Sequence, residues 1–220
     1  VVPGIYLALT ALTPLNLANP ATAWNFEDPL GNFRSMLEDP SFLHSVKVQA
    51  HLSAASVVLQ LLIGLAVALL LHTSTRIRDV ARSLMLIPMV LPPIVVGIVW
   101  LALFTVDISP IHRGLAWLGM PVGPLLTNPS SALWAVVLAG TWQNFPFAML
   151  MSLAALQMVP ASPLEAARID GASAWQVFLH VRLPFIAPTL VVAGLFMLID
   201  SVKAFPLIFI MTDGGPGNVT

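Results

Sequence analysis

Three stretches of this chain carry no charged residue over lengths that soluble folds rarely hide: Leu52–Leu71, Ser83–Val106 and Ser131–Met158. A fourth, Phe185–Met211, contains only Asp200 and Lys203. A helix needs about 20 apolar residues to cross the hydrocarbon core of a bilayer, and backbone amides at that depth must be satisfied within helices or closed barrels. The four runs are therefore expected to span a membrane. Composition agrees: 58% of residues are hydrophobic and 9% charged, against about 25% charged in a soluble domain. The expected fold is all-α, a polytopic transmembrane helix bundle of four clear spans. Val1–Leu15 reads as the exit end of a further helix, and Asn16–His44, polar and mostly acidic, as an external loop. This sets residues 1–45 apart from a core at 46–220. A last helix is expected to be missing after the C-terminal turn at Asp213–Asn218.

The cations orient the bundle. Arg76, Arg78 and Arg82 lie in one connector, Arg168 and Arg182 in the next but one. By the positive-inside rule both face the cytoplasm. The Asn16–His44 region, the turn-rich Asp107–Pro129 loop with Arg113, and the C-terminal turn then face outside. Prolines 88, 92, 93, 146 and 188 interrupt three of the spans. A mid-helix proline removes one hydrogen bond and bends the rod, which lipid tolerates where the freed carbonyls meet neighbouring helices or a wet cavity.

Several chemistries are excluded. Without cysteine there are no disulfides or thiolate metal sites. A net charge of −1 gives no nucleic-acid footprint. No glycine precedes a lysine, so the chain lacks a phosphate-binding P-loop and any ATPase must be a partner. No catalytic constellation appears. His44 and His51 can share a helix face but lack a third ligand, and read as interface groups.

The connector between the third and fourth runs carries more local order than a loop. Ser162 is a good N-cap, Pro163 suits the first helical position and Glu165 stands where a capping box places its carboxylate. Gly171 follows Asp170 where a helix ends in the left-handed region. Ser173 and Gln176 repeat the box. Two short helices are expected, Pro163–Asp170 and Ala174–Arg182, the second stopped by Pro184. The first is about 12 Å long, too short to cross a bilayer. A doubly capped pair of this kind is suited to docking a partner.

Glu165-Ala166-Ala167, Gly171 four residues on, and Val181-x-Leu183-Pro184 resemble the EAA signature of membrane subunits of bacterial ABC importers. The family consensus has Ile where Val181 stands. Asp170-Gly171-Ala172 and Trp175-Gln176 resemble the carbohydrate-uptake, maltose-transporter branch, and the resemblance runs from about Leu30 onward. It implies a permease of the bacterial inner membrane, with a cytosolic coupling helix at about 162–171 seated in a cleft of an ATPase subunit. Glu165, Ala166, Ala167, Asp170 and Gly171 would form that docking site. The implied partners are a second permease, two cytosolic ATPase subunits and an external solute-binding protein. No cofactor is bound by this chain; ATP and Mg would sit in the ATPase subunits.

Two polar groupings fall at membrane depth: Thr141-Trp142-Gln143-Asn144, and Asp200-Ser201-x-Lys203. An ion at the bilayer centre costs about 2.5–3.5 kcal/mol, and Asp200 and Lys203, three apart on a helix, can partly neutralise each other. The resemblance places a substrate pathway at Gly140, Gln143, Asn144, Phe147, Ser201 and Ala204, with Asp200 beside them. Plain helix packing is the competing reading for Trp142 and Phe147. Two other function classes stay open on sequence: an ion-driven secondary transporter using Asp200, and a membrane enzyme or assembly factor without transport.

Overall fold

The computed structural model describes residues 2–14, 24–73, 75–106, 108–119 and 123–216. Within the expected external regions, 15–23, Asp107, 120–122 and 217–220 lie outside the described residues. All regular structure among the described residues is helical. The chain divides into two compact units, Val1–Val48 and Gln49–Thr220.

The first unit holds α1 (Val2–Ala11), α2 (Gly31–Glu38) and the opening turns of α3 (Pro40–Leu71). The end of α1 is closed by a side chain from α2: Asn32 Nδ2 donates to Ala11 O at 3.0 Å and Thr13 O at 2.7 Å. Tyr6 and Trp24 meet edge to face. The stretch expected to be an external loop thus contains α2 and the first turn of α3, and Asn32 of α2 gives carbonyls at the end of α1 a partner.

The second unit is built on the rest of α3, followed by α4 (Arg76–Met85), α5 (Ile87–Val90), α6 (Pro93–Phe104), α7 (Pro110–Trp117), α8 (Pro129–Gln157), α9 (Ala161–Ile169), α10 (Ala174–Val177), α11 (Leu183–Ser201) and α12 (Phe205–Thr212). Two helices, Pro40–Leu71 and Ala174–Ser201, are long and apolar enough to cross a membrane by themselves. Counting each bent pair as one span gives up to four. The expected span Ser83–Val106 is one of these pairs, turning by 97° between Val90 and Pro93. Pro92 and Pro93 are the reason: two successive residues without N–H cannot continue the ladder. On its own α6 has 12 residues, about 18 Å.

The fourth expected span is corrected at both ends. Pro184 does not stop the preceding helix. The turn Phe178–Arg182 widens to π geometry, Leu183 N–H reaches back to Phe178 O, and α10 runs on into α11. The wider turn relieves the ring's clash with the preceding carbonyl. At the far end α11 stops at Ser201 and α12 begins at Phe205. The loop expected at Asp107–Pro129 includes α7, capped by Ser109, whose hydroxyl accepts from His112 N–H at 3.1 Å.

Packing in this unit inverts the soluble pattern. The buried residues of α3 are Leu52, Ser53, Ser56, Gln60, Gly64 and Ala68, a stripe at three- and four-residue spacing that is mostly small or polar. Several of its larger apolar residues point outward, Leu70 at 71% exposure, Leu62 at 59% and Val58 at 54%. Without a hydrophobic drive between helices in lipid, close backbone approach and interhelical hydrogen bonds hold the bundle. Gly64 shows the approach: a Cβ there would lie 2.5 Å from Ala148 Cβ and 2.7 Å from Met149 N. A larger apolar cluster joins Leu52, Val96, Phe104, Val136, Leu207 and Met211, with Trp100 packed against Phe104 and Trp142.

Arg82 closes the end of α3 that bears the basic connector. Its guanidinium donates to Leu71 O and pairs with Asp79 Oδ1 at 2.8 Å, with only 20% of the side chain exposed. A cation on terminal carbonyls offsets the negative helix end. Arg82→Gln is expected to lower stability by about 2 kcal/mol, measured by thermal unfolding in detergent, while the exposed Arg76→Gln changes little.

Candidate functional site

The second unit holds an open cavity of about 590 Å³. All seven residues proposed from sequence for the pathway line it: Gly140, Gln143, Asn144 and Phe147 from α8, and Asp200, Ser201 and Ala204 from the break between α11 and α12. Ser56 and Gln60 from α3 join them. Trp142 does not. Its ring stacks edge to face on Trp100 at 5.9 Å, and Thr141 is buried with its hydroxyl unpartnered.

The cavity wall is built where helices are interrupted, and side-chain amides accept the consequence. A broken helix leaves carbonyls without their i+4 donor, and a buried unpaired carbonyl is costly. Leu91 O, at the end of α5, receives Gln143 Nε2 at 3.0 Å. Within the unbroken α8, Gly140 O also receives Gln60 Nε2 at 3.3 Å and Asn144 Nδ2 at 3.2 Å. Ser201 O, at the end of α11, receives Gln49 Nε2 at 3.1 Å. The Ser201 and Ser53 hydroxyls share a 2.8 Å hydrogen bond. Gln143 is 8% exposed, so Gln143→Leu is expected to strand the Leu91 carbonyl and cost about 1–3 kcal/mol, read from thermal unfolding of the purified protein.

The expected neutralisation of Asp200 by Lys203 is corrected. Ion pairs join Arg34 to Asp28 and Arg82 to Asp79, but Asp200 and Lys203 are not within bridging distance. The helix on which they would be neighbours ends at Ser201, and only the Lys203 N–H returns to Asp200 O, at 2.9 Å. Both side chains are exposed and line the cavity separately. Among the described residues no three His, Asp or Glu groups converge as metal ligands would.

The second site is the capped turn. Helix α9 begins two residues earlier than expected, with Pro160 at the N-cap and no side-chain cap bond. The Ser162–Glu165 capping box is therefore not formed. Pro160 is already extended, at φ −61° and ψ 144°, and starts the helix itself, so Pro163 falls among the first N–H groups, which need no intrahelical partner. The C-terminal end is as expected. Gly171 has φ +75°; its N–H donates to Arg168 O at 3.1 Å, and Ala172 N–H to Ala167 O at 3.0 Å, the paired bonds of a Schellman closure. The box at Ser173 and Gln176 is complete, with bonds of 2.8 and 3.4 Å. Glu165, Ala166, Asp170 and Gly171 are exposed and Ala167 is half-buried. Ile169 at 86% and Trp175 at 66% exposure give the turn an apolar tip. Beside it lies a recess of about 320 Å³ lined by Ala167, Asp170, Gly171, Gln176 and His180, among others.

Residues 60–220 match the family model described as the inner membrane component of binding-protein-dependent transport systems. The chain belongs to that family. It is an ABC importer permease component, a multi-pass protein of the inner membrane without catalytic chemistry of its own. The permease is 36% identical over 219 residues to a probable ABC transporter permease protein of Sinorhizobium fredii, covering 100% of this chain and 70% of the relative. It is 36% identical over 191 residues to the trehalose/maltose transport system permease protein MalF of Thermococcus litoralis, covering 87% of this chain and 65% of the relative. Among solved structures, a bacterial ABC transporter that imports the acidic polysaccharide alginate matches 99% of this chain and 72% of its own, with a TM-score of 0.77 at 19% identity. That likeness concerns the fold.

Sequence reasoning missed the contribution of α3. Its signal was present: Gln49, Ser53, Ser56 and Gln60 recur at helical spacing in an otherwise apolar run.

Proposed function

We propose that this permease passes a carbohydrate through the cavity between α3, α8 and the α11–α12 break, driven by ATPase subunits that grip the capped turn at Ala161–Gly171. The observation that carries the proposal is the continuity between these two sites. From the Gly171 hinge, α10 leads through the π turn into α11 without a break, and α11 ends at the cavity wall at Ser201. Movement of the turn is thereby delivered to the residues around the solute. The work is conformational: ATP in the partner subunits, with Mg, and a loaded external binding protein bias an equilibrium between inward- and outward-facing arrangements. A second permease supplies the other half of the path.

The residues suit a sugar. Gln and Asn amides meet hydroxyls, and the Phe147 ring offers an apolar face for a pyranose. The relationship to a trehalose/maltose permease supports the same class. Glu165, exposed on α9, is assigned to a basic residue of the ATPase cleft. The test is co-purification in mild detergent followed by reconstitution: an ATPase subunit is expected to accompany the permease, and sugar uptake is expected to depend on ATP. Uptake that survives ATP depletion but stops when the ion gradient is collapsed would instead favour a secondary transporter.

A further inference from the structure

We propose that the cavity recognises its solute through the solute's own hydroxyl hydrogens, that Gln60 of α3 is one of the binding residues, and that the solute is uncharged. This rests on the carbohydrate reading above and adds to it the polarity of the site.

The argument begins with which end of each amide is engaged. Gln60 and Asn144 both donate a nitrogen hydrogen to Gly140 O, and Gln143 donates one to Leu91 O. A carbonyl oxygen only accepts, so turning any of these amides over would set oxygen against oxygen. The backbone therefore fixes their orientation. Their oxygens take part in none of these bonds, none is both buried and unpartnered, and all three residues line the cavity, which leaves the oxygens available to a ligand there. Ser56, 4% exposed and on the same wall, adds a hydroxyl. Asp200 adds two further acceptor oxygens. Each amide keeps one spare N–H and Lys203 brings three, yet the lone pairs of the amide, Ser56 and Asp200 oxygens outnumber these hydrogens, so the wall has more capacity to accept than to donate.

Charge points the same way. Asp200 and Lys203 are the charged groups lining the cavity, and their formal charges cancel. A phosphorylated or carboxylated sugar would bring an anion to a carboxylate and three amide oxygens, with one ammonium and the spare amide N–H groups in its favour, and would surrender its hydration to do so. A neutral sugar instead offers a donor to each acceptor.

The test uses the permease pair with its ATPase subunits in lipid nanodiscs, without the binding protein, so that the cavity alone selects. Saturation-transfer NMR titrations compare matched probes: trehalose against trehalose 6-phosphate, and maltose against maltose 1-phosphate. A neutral member is expected to bind at least about tenfold more tightly than its phosphate, a difference of about 1.4 kcal/mol. Asp200→Asn, which leaves Lys203 unopposed, is expected to narrow that gap. Gln60→Leu is expected to weaken neutral-sugar binding about tenfold with the complex still assembled. Phosphates binding as well as their neutral partners would overturn the proposal and leave the carbohydrate reading standing. Unchanged affinity in Gln60→Leu would remove Gln60 from the site. No binding of either kind would overturn both readings together.

Discussion

A Gly171→Val permease is expected to reach the membrane in normal amount and to import at least about tenfold more slowly, while Gly171→Asn stays close to wild type. The reason is conformational. A Cβ at Gly171 meets nothing within 4 Å, yet the backbone stands at φ +75°. An ordinary L-residue pays about 1–2 kcal/mol there, a β-branched one more, and asparagine least after glycine. The cheapest relief is to open the Schellman closure, which re-aims Asp170 and the exposed Ile169. The spans are not touched, so insertion is spared. A penalty of 1.4 kcal/mol borne in the docked state corresponds to about a tenfold loss of coupling. The measurement is sugar uptake normalised to permease in the membrane, with valine and asparagine side by side.

Gly64→Val is expected to act through the opposite route, removing the folded permease. The new side chain would collide with Ala148 Cβ at 2.5 Å and with the α8 backbone at 2.7 Å. Backbone cannot step aside as a flexible side chain can, so α3 must withdraw from α8. Gln60, one turn away, then loses Gly140 O, and the amide network around the cavity opens. Overpacking of this kind costs about 3 kcal/mol or more, enough to consume a large part of a marginal stability. Gly114→Ala in α7 has open space around it and is expected to be neutral. The two are compared by the yield of monodisperse protein in detergent and its unfolding temperature.

How far the sequence revealed this molecule depended on the range of the interaction involved. The helices on either side of the capped turn, Gly171 as a positive-φ closure and the Ser173–Gln176 box were legible because caps and glycines act within a few residues. Uncharged length marked the spans. The breaks were harder. Pro184 and the Pro92–Pro93 pair have the same local meaning, a missing donor, yet one is absorbed by a π turn and the other produces a 97° bend. The choice depends on which neighbours can take the freed carbonyls, and for Leu91 O that neighbour is Gln143, 52 residues away. The Asp200–Lys203 pairing rested on helical spacing and was lost with the helix. The polar stripe of α3 lay open to periodic reading, but in a membrane protein the buried face is the small and polar one, and a search for apolar faces passes over it.

The proposed docking can be read at one contact, between the turn at residues 161–171 on the cytoplasmic side and an ATPase subunit. The chain contains no cysteine, so Ala166→Cys places a single thiol on the exposed face of that turn. In intact cells the thiol is expected to resist a membrane-impermeant maleimide. In inside-out vesicles it is expected to crosslink to the ATPase subunit with a short bifunctional reagent, with a yield that changes when ATP is bound. Labelling from the outside of intact cells, or no crosslink in the assembled complex, would contradict the account.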